Sequence, residues 1–350
     1  MNASTLSVVL LAAGFGKRMK SALPKVLHPI LGLPMIEHCL RAVSAVTGEL
    51  PVVIVGHGAD QVQTLVGSRA RCALQKEQLG TAHALQMAAP LLVDKGGLVL
   101  VATGDMPLLT SQTFSRLVEN QRHHSGPISM LTVVMDDPHG FGRVVRASDG
   151  SVVEIIEEAQ ASAEVLKIKE LNASVYCFEA AWLWNALSQV KLSPKGEYYL
   201  TDLVGIAVSA GLSVQALVVE DSAEALGINT RVHLAEAEAV LRSRINTHWM
   251  LEGVSLVDPA STWIEPDVRI GTETLIYPGT VLRGSTQIGS GCTIGPHAVI
   301  QNSRLGANCV VKAAWLEDCD VNENTQVQPY LHLCGEKIDS QAVGEGLKVK

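Results

Sequence analysis

The chain has 350 residues, enough for two domains and a sizeable core; 47% of them are hydrophobic and only 4% aromatic. Lys and Arg number 27 against 35 Asp and Glu, a formal charge of −8, which argues against a nucleic-acid binder with its dominant basic surface. Seven cysteines lie scattered without a CxxC pair, so neither a zinc site nor a disulfide framework is suggested, and a reducing cytoplasm fits best.

The first predicted strand, 8–11, runs through Ala12-Ala13 into Gly14-Phe15-Gly16-Lys17-Arg18-Met19 and then Leu23-Pro24-Lys25. A buried strand that breaks into glycine and cations delivers a backbone loop to a phosphate. Small residues let the main chain approach closely, and N–H groups beside Arg18 and Lys25 can hold negative oxygens. The other reading of Lys17, Arg18, Lys20 and Lys25 is an ordinary solvated patch. Met19 stands where the dinucleotide fingerprint has its third glycine, and no Walker A pattern is present. The apolar run is too short to span a membrane, and no basic residue precedes it as a signal peptide requires.

Further strands are predicted at 51–55, 98–102, 128–134 and 174–178, with helices such as 35–46 and 81–92 between them. This alternation reads as an α/β domain with a largely parallel, doubly wound sheet, where ligands sit at the carboxyl ends of strands. The Gly14 loop and Asp105 both fall there. Asp105, on a Gly-Asp-Met-Pro turn, either offers a hard oxygen to Mg²⁺ or caps the turn. The Gln75 amide, with both donor and acceptor, suits the imide edge of uracil. Gly80 and Thr81 either present N–H groups to a nucleotide or sugar, or form a turn and an N-cap; His83 packs or faces solvent.

Gly142, Glu157 and Asn172 fall on successive predicted strand ends. Such a set can hydrogen-bond sugar hydroxyls and an acetamido group, or fill ordinary structural roles. Asn229 either completes a metal site or, like Thr230, caps a connecting helix predicted over 229–253.

Beyond that helix the period changes. Ile264, Ile270, Ile276, Leu282, Ile288, Ile294 and Ile300 recur every six residues, and four places after each of the first six stands a smaller residue. A six-residue repeat predicts a parallel β-helix of triangular coils, one aliphatic side chain per face stacking on the next coil. The register slips after Ile300 and fades past Leu333, which predicts roughly four coils. His297 within them reads as a turn histidine rather than an acyl-transfer group. The domain boundaries expected are 1–228, a connecting helix 229–253, the β-helix 254–333 and a tail 334–350.

The opening loop resembles the LAAGxGxRM and PKxL signature of the sugar-nucleotide pyrophosphorylases, with two glycines, an arginine and a lysine in register. Taken whole, the chain resembles the bacterial N-acetylglucosamine-1-phosphate uridylyltransferase/glucosamine-1-phosphate acetyltransferase family, from about Leu6 to Leu333, including the segment Gly196–Asp202. The resemblance implies a doubly wound nucleotide-diphospho-sugar transferase domain followed by a short left-handed parallel β-helix. It implies that Leu11, Ala12, Ala13 and Gly14 line the nucleotide, that Arg18 and Lys25 contact its phosphates as the catalytic cations, and that Gln75 reads uracil beside Gly80 and Thr81. Asp105 and Asn229 would ligate Mg²⁺; Gly142, Glu157 and Asn172 would bind the amino sugar. The implied reaction is in-line transfer of a uridylyl group from UTP to N-acetylglucosamine-1-phosphate, without a covalent intermediate, by a homotrimer formed through the β-helix.

Two departures stand out. Where the family continues its sugar-binding glutamate with Lys-Asp, this chain reads Glu157-Glu158-Ala159-Gln160, so a cation near the sugar phosphate is missing. The hexad pattern also covers fewer coils than the family's, and the expectation is that acetyltransferase activity is absent. Two alternatives remain open: another sugar-1-phosphate nucleotidyltransferase acting on glucose-1-phosphate with UTP or dTTP, and a non-catalytic nucleotide-sugar-binding scaffold.

Overall fold

Strand β1 (Leu6–Ala12) is apolar at nearly every position because both of its faces are covered. In the computed structural model, which describes residues 5–136, 138 and 140–339, Val8, Leu10 and Ala12 enter one hydrophobic core while Val9 enters a second core on the opposite face. Its neighbours behave alike, Val53 and Leu100 facing the first core and Ile54 and Val101 the second.

The sheet holds nine strands: β1, β2 (Val52–Val55), β3 (Arg71–Leu74), β4 (Leu98–Thr103), β5 (Ile128–Val134), β6 (Arg143–Arg146), β7 (Val152–Ile156), β8 (Glu170–Glu179) and β9 (Val214–Val218). Their order is β9-β5-β8-β4-β1-β2-β3, with β6 paired to β8 and β7 to β6. β1 runs parallel to β2 and β4, whereas β8 is antiparallel to β4, β5 and β6. Helices α1 (Met35–Ser44), α2 (Ala59–Val66) and α5 (Ser111–His123) cover the first core; α3 (Thr81–Gln86), α4 (Ala89–Leu92), α6 (Ala180–Leu187) and α7 (Asp202–Ser209) cover the second. The helix predicted over 81–92 is thus two short ones. Pro90 lacks an N–H and clashes with a preceding turn, so it sits in the first turn of a new helix instead of inside the old one.

Helix α8 (Arg231–Leu251) follows, and Thr230 Oγ1 accepts from the His233 N–H as its cap at 3.2 Å. Compact units divide within it: one comprises residues up to His28 with Pro34–Leu234, the other Pro29–Leu33 with the chain from Ala235 onward.

The second unit is a left-handed parallel β-helix of three five-stranded sheets. Aliphatic columns run through it, for example Ile264, Leu282, Ile300, Leu316 and Leu333, all buried. The small residues four places on, Val268, Thr274, Thr280, Thr286, Cys292 and Ala298, are buried too. At these tight positions a hydroxyl or thiol satisfies a carbonyl of the next coil: Thr274 Oγ1 donates to Gly289 O at 3.0 Å, and Cys292 Sγ to Gly306 O at 3.2 Å.

Each face carries five strands, and the last, Lys337–Ile338, pairs in register with Asp320–Val321. The expectations of roughly four coils and of a patternless tail from 334 are corrected to that extent; residues 340–350 of the tail lie outside the described residues. Along the column Ile270, Ile288, Leu305, Val321 and Ile338 the step shortens from eighteen residues to seventeen and sixteen, so a strict hexad count loses a coil that is still stacked. His297 stands at an exposed corner with φ +55°. Among the described residues no helix is long and apolar enough to cross a membrane.

Candidate active site

Ending side by side, β1 and β4 are tied at their carboxyl ends by the Gly104 N–H donating to Leu11 O at 2.8 Å. The chain after β1 turns through Gly16, φ +61°, where a Cβ would lie 2.5 Å from Lys25 Cβ. Only glycine lets that loop close over the lysine. Lys25 Nζ then reaches Asp105 Oδ2 at 2.5 Å, just past β4, and Asn229 Oδ1 at 3.2 Å. The Ile228 N–H donates to Asp105 O at 2.9 Å, which draws Asn229 to this point. The two readings of the 229–230 pair therefore divide between neighbours: Thr230 caps α8 and Asn229 faces the lysine.

The side chains of Lys25 and Asp105 are 13% and 23% exposed. Burial works to raise the Asp105 carboxyl pKa, but the charge and hydrogen bond of Lys25 outweigh it, and the net shift is downward. Two oxygens of different residues thus converge on one cation. Among the described residues no group of three or more His, Cys, Asp or Glu is placed to hold a metal ion. Two protein oxygens with room for phosphate and water suit Mg²⁺, which keeps much of its hydration.

Around this centre lies a cavity of about 670 Å³, lined by Leu11, Ala12, Ala13 and Gly14, by Lys25 and Asp105, and by Gln75, Gly80, Thr81 and Glu157. At one end Gln75, 3% exposed, holds its Nε2 near Gly80 O at 3.1 Å and His83 Nδ1 at 3.0 Å. Its Oε1 remains as an acceptor for a ligand N–H. His83, read as packing or solvent-facing, thus orients the glutamine. Gly80 adopts φ +104°, and a Cβ there would lie 2.4 Å from Tyr198 O. Thr81 Oγ1 accepts from the Leu200 N–H at 2.9 Å, so Thr81 is the first residue of α3 and not its cap. These bonds fasten the loop 79–82 to the segment 198–200.

At the other end Glu157 accepts from Thr201 Oγ1 at 3.1 Å. Its pKa is raised, chiefly by burial, against the Thr201 hydrogen bond. Gly142 adjoins it, since a Cβ there would meet Ile155 at 2.9 Å and Glu157 Oε2 at 3.7 Å. The Asn172 N–H donates to Gly142 O at 2.9 Å, completing a cluster of all three sugar-site candidates. Glu158 accepts from the Gly140 N–H at 2.8 Å and lies 3.7 Å from buried Arg143, while Ala159 and Gln160 are exposed.

Four candidates lie behind or beside the cavity wall instead of in it: Arg18, Gly142, Asn172 and Asn229. Arg18 is exposed on the one-turn helix Lys17–Met19. Conversely, Phe15, Lys17, Gln78, Ser174, Tyr176, Glu197, Tyr199 and Thr201 line the cavity. The sequence pattern marks none of these as a site residue, and the segment 196–202 is the one signal for the last three.

Residues 8–171 match the MobA-like NTP transferase domain family, and 267–302 match the bacterial transferase hexapeptide (six repeats). A relative from Exiguobacterium sibiricum, "Bifunctional protein GlmU", is 46% identical over 98% of this chain and 77% of its own length. The chain belongs to the GlmU family. Relatives of the same name from Heliobacterium modesticaldum and Geobacillus thermodenitrificans are 44% and 42% identical, covering 97% and 98% of this chain and 74% and 75% of theirs. A solved Bacillus anthracis protein, provisionally described as a glucose-1-phosphate thymidylyltransferase and determined with sucrose, shares the fold. Its TM-score is 0.55 at 21% identity, over 67% of this chain and 95% of that one. Membership of the GlmU family, with its matched NTP transferase domain, makes this chain a sugar-1-phosphate nucleotidyltransferase.

Proposed function

We propose that the chain transfers a uridylyl group from UTP to N-acetylglucosamine-1-phosphate, releasing pyrophosphate, in a single in-line displacement. The observation that carries this reading is the convergence of Asp105 and Asn229 on Lys25 Nζ, beside the glycine loop and between the Gln75 and Glu157 ends of one cavity. The oxygen of the sugar phosphate forms a bond to the α-phosphorus of UTP as the bond to pyrophosphate breaks. No side-chain nucleophile is needed, so the protein must hold two anions together and offset their charge.

Gln75 Oε1 accepts from the uracil imide, with Gly80 and Thr81 beside it, and the backbone of Leu11, Ala12, Ala13 and Gly14 lies along the nucleotide. Lys25 and Arg18 supply positive charge to the phosphates. Glu157 faces the sugar, with Gly142 and Asn172 packed behind it as the other two residues of the sugar end. Asp105 and Asn229 are the residues that would hold Mg²⁺, whose chemistry here is to withdraw charge from phosphate oxygens. The coils are assigned to self-association as a trimer in the cytoplasm; a monomer by light scattering would remove that assignment.

The test is pyrophosphate release with Mg²⁺. UTP with N-acetylglucosamine-1-phosphate is expected to be used with kcat/KM at least about tenfold above dTTP or glucose-1-phosphate. Preference for either of those would move the assignment to another sugar-1-phosphate nucleotidyltransferase. Nucleotide binding without any release would favour the scaffold. Glucosamine-1-phosphate with acetyl-CoA is run alongside: the described coils place His297 at an exposed corner, and no acetyl transfer is assigned to it.

A further inference from the structure

Strand β8 carries an irregularity where it borders the cavity. Its pairing with β5 shifts register between Asn172 and Tyr176, and inside that shift sits Ser174 at φ +55°. Left-handed backbone at a residue with a Cβ is strained, and a strand interior gives no reason for it. Among the described residues of this unit, Lys20 and Ser174 alone combine a side chain with positive φ, and Lys20 merely ends a one-turn helix.

The distortion has a consequence for the neighbouring amide. Asn172 Oδ1 accepts from the Ser174 N–H at 3.0 Å and from the Tyr176 hydroxyl at 2.9 Å. Two donors fill the capacity of an amide oxygen, so Asn172 has only its NH₂ left to offer. That NH₂ lies 3.5 Å from Ser174 Oγ, the outer limit of a hydrogen bond. Asn172 itself is 4% exposed and does not line the cavity, whereas Ser174 does, alongside Tyr176, Glu157 and Thr201. With the amide pointing a donor at Ser174 Oγ, the serine hydroxyl keeps its own hydrogen for the cavity.

We propose that Ser174 is a substrate-contacting, specificity-determining residue: its hydroxyl, oriented by Asn172, donates to an oxygen of the sugar unit of the sugar-1-phosphate. The proposal rests on the nucleotidyltransferase reading of the cavity and deepens it. It also explains why a strained serine stands where glycine would fit the backbone better: the strain is retained for the hydroxyl.

The experiment compares Ser174→Ala and Ser174→Gly with the unaltered chain in steady-state kinetics and thermal melts. Alanine removes the hydroxyl and keeps the strain; glycine removes both. Ser174→Gly is expected to melt higher by roughly 2–4 °C, Ser174→Ala near the unaltered chain. Both are expected to raise KM for the sugar phosphate about 3–10-fold, with KM for UTP and kcat within about twofold. That pattern separates a lost contact from a backbone effect, because stability moves in one variant and KM in both. An unchanged KM for the sugar phosphate in either variant overturns the proposal. Failure of the unaltered chain to use any sugar-1-phosphate would instead overturn the reading on which it rests.

Discussion

Asp105→Asn is expected to lower turnover by about 10²–10³-fold while KM for UTP stays within about threefold. The substitution keeps the shape of the residue at the end of β4 and removes its charge. Lys25 remains to attract the triphosphate, so ground-state binding persists; what is lost is the anion that anchors positive charge beside the reacting phosphorus. A turnover within about threefold of the unaltered chain would take Asp105 out of the mechanism.

The same carboxylate has a stability signature. Its folded-state pKa is depressed, because Lys25 outweighs the opposing effect of burial. Its contribution is therefore present above the ordinary aspartate value of about 3.9 and disappears as pH falls through the lower folded-state pKa. Asp105→Asn should lack this acid-side loss in pH-dependent melts, and an identical acid limb in the two proteins would show that the pair adds nothing to stability.

What could be read in the sequence was set by burial on both faces. Central parallel strands have no solvent side, so β1, β2 and β4 appear as apolar runs, and an acidic residue on the turn just past one, such as Asp105, announces the carboxyl edge of the sheet. Lys25 was legible for a related reason, as a cation following a glycine loop. The direction of β8 was not, since an antiparallel strand inserted among parallel ones has the same buried composition. Ser174 was hidden because a bulge breaks the alternation from which facing is inferred, and nothing in Asn172-Ala173-Ser174 marks a left-handed backbone. Tyr199 and Thr201 reach the cavity because loop bonds tie Tyr198 and Leu200 to Leu79, Thr81 and Ala82, more than a hundred residues away, a closure that no local pattern encodes. The lost coil is a matter of arithmetic: stacking tolerates a corner shortened by one residue, a periodic count does not.

Lys25→Ala tests the other half of the cation site, with an effect of similar size. Turnover should fall about 10²–10³-fold, because a charge beside the phosphates is gone. The melts should be more telling. In the unaltered protein the ammonium lies within 2.5 Å of Asp105 Oδ2 and 3.2 Å of Asn229 Oδ1, the position an added divalent cation would take. Removing it leaves a half-buried carboxylate facing an amide oxygen, at a cost of about 1–3 kcal/mol, less than for a fully buried pair because both side chains keep some contact with water. Mg²⁺ should then restore stability without competition. A tenfold gain in affinity for the metal corresponds to about 1.4 kcal/mol, or roughly 3–5 °C of additional melting shift at saturating Mg²⁺. Asp105→Asn, lacking the anion, should show little Mg²⁺ shift in the same assay. Equal Mg²⁺ shifts in Lys25→Ala and the unaltered chain would mean that the lysine and the metal do not share a position, and Lys25 would then act on the phosphates from a place this geometry does not describe.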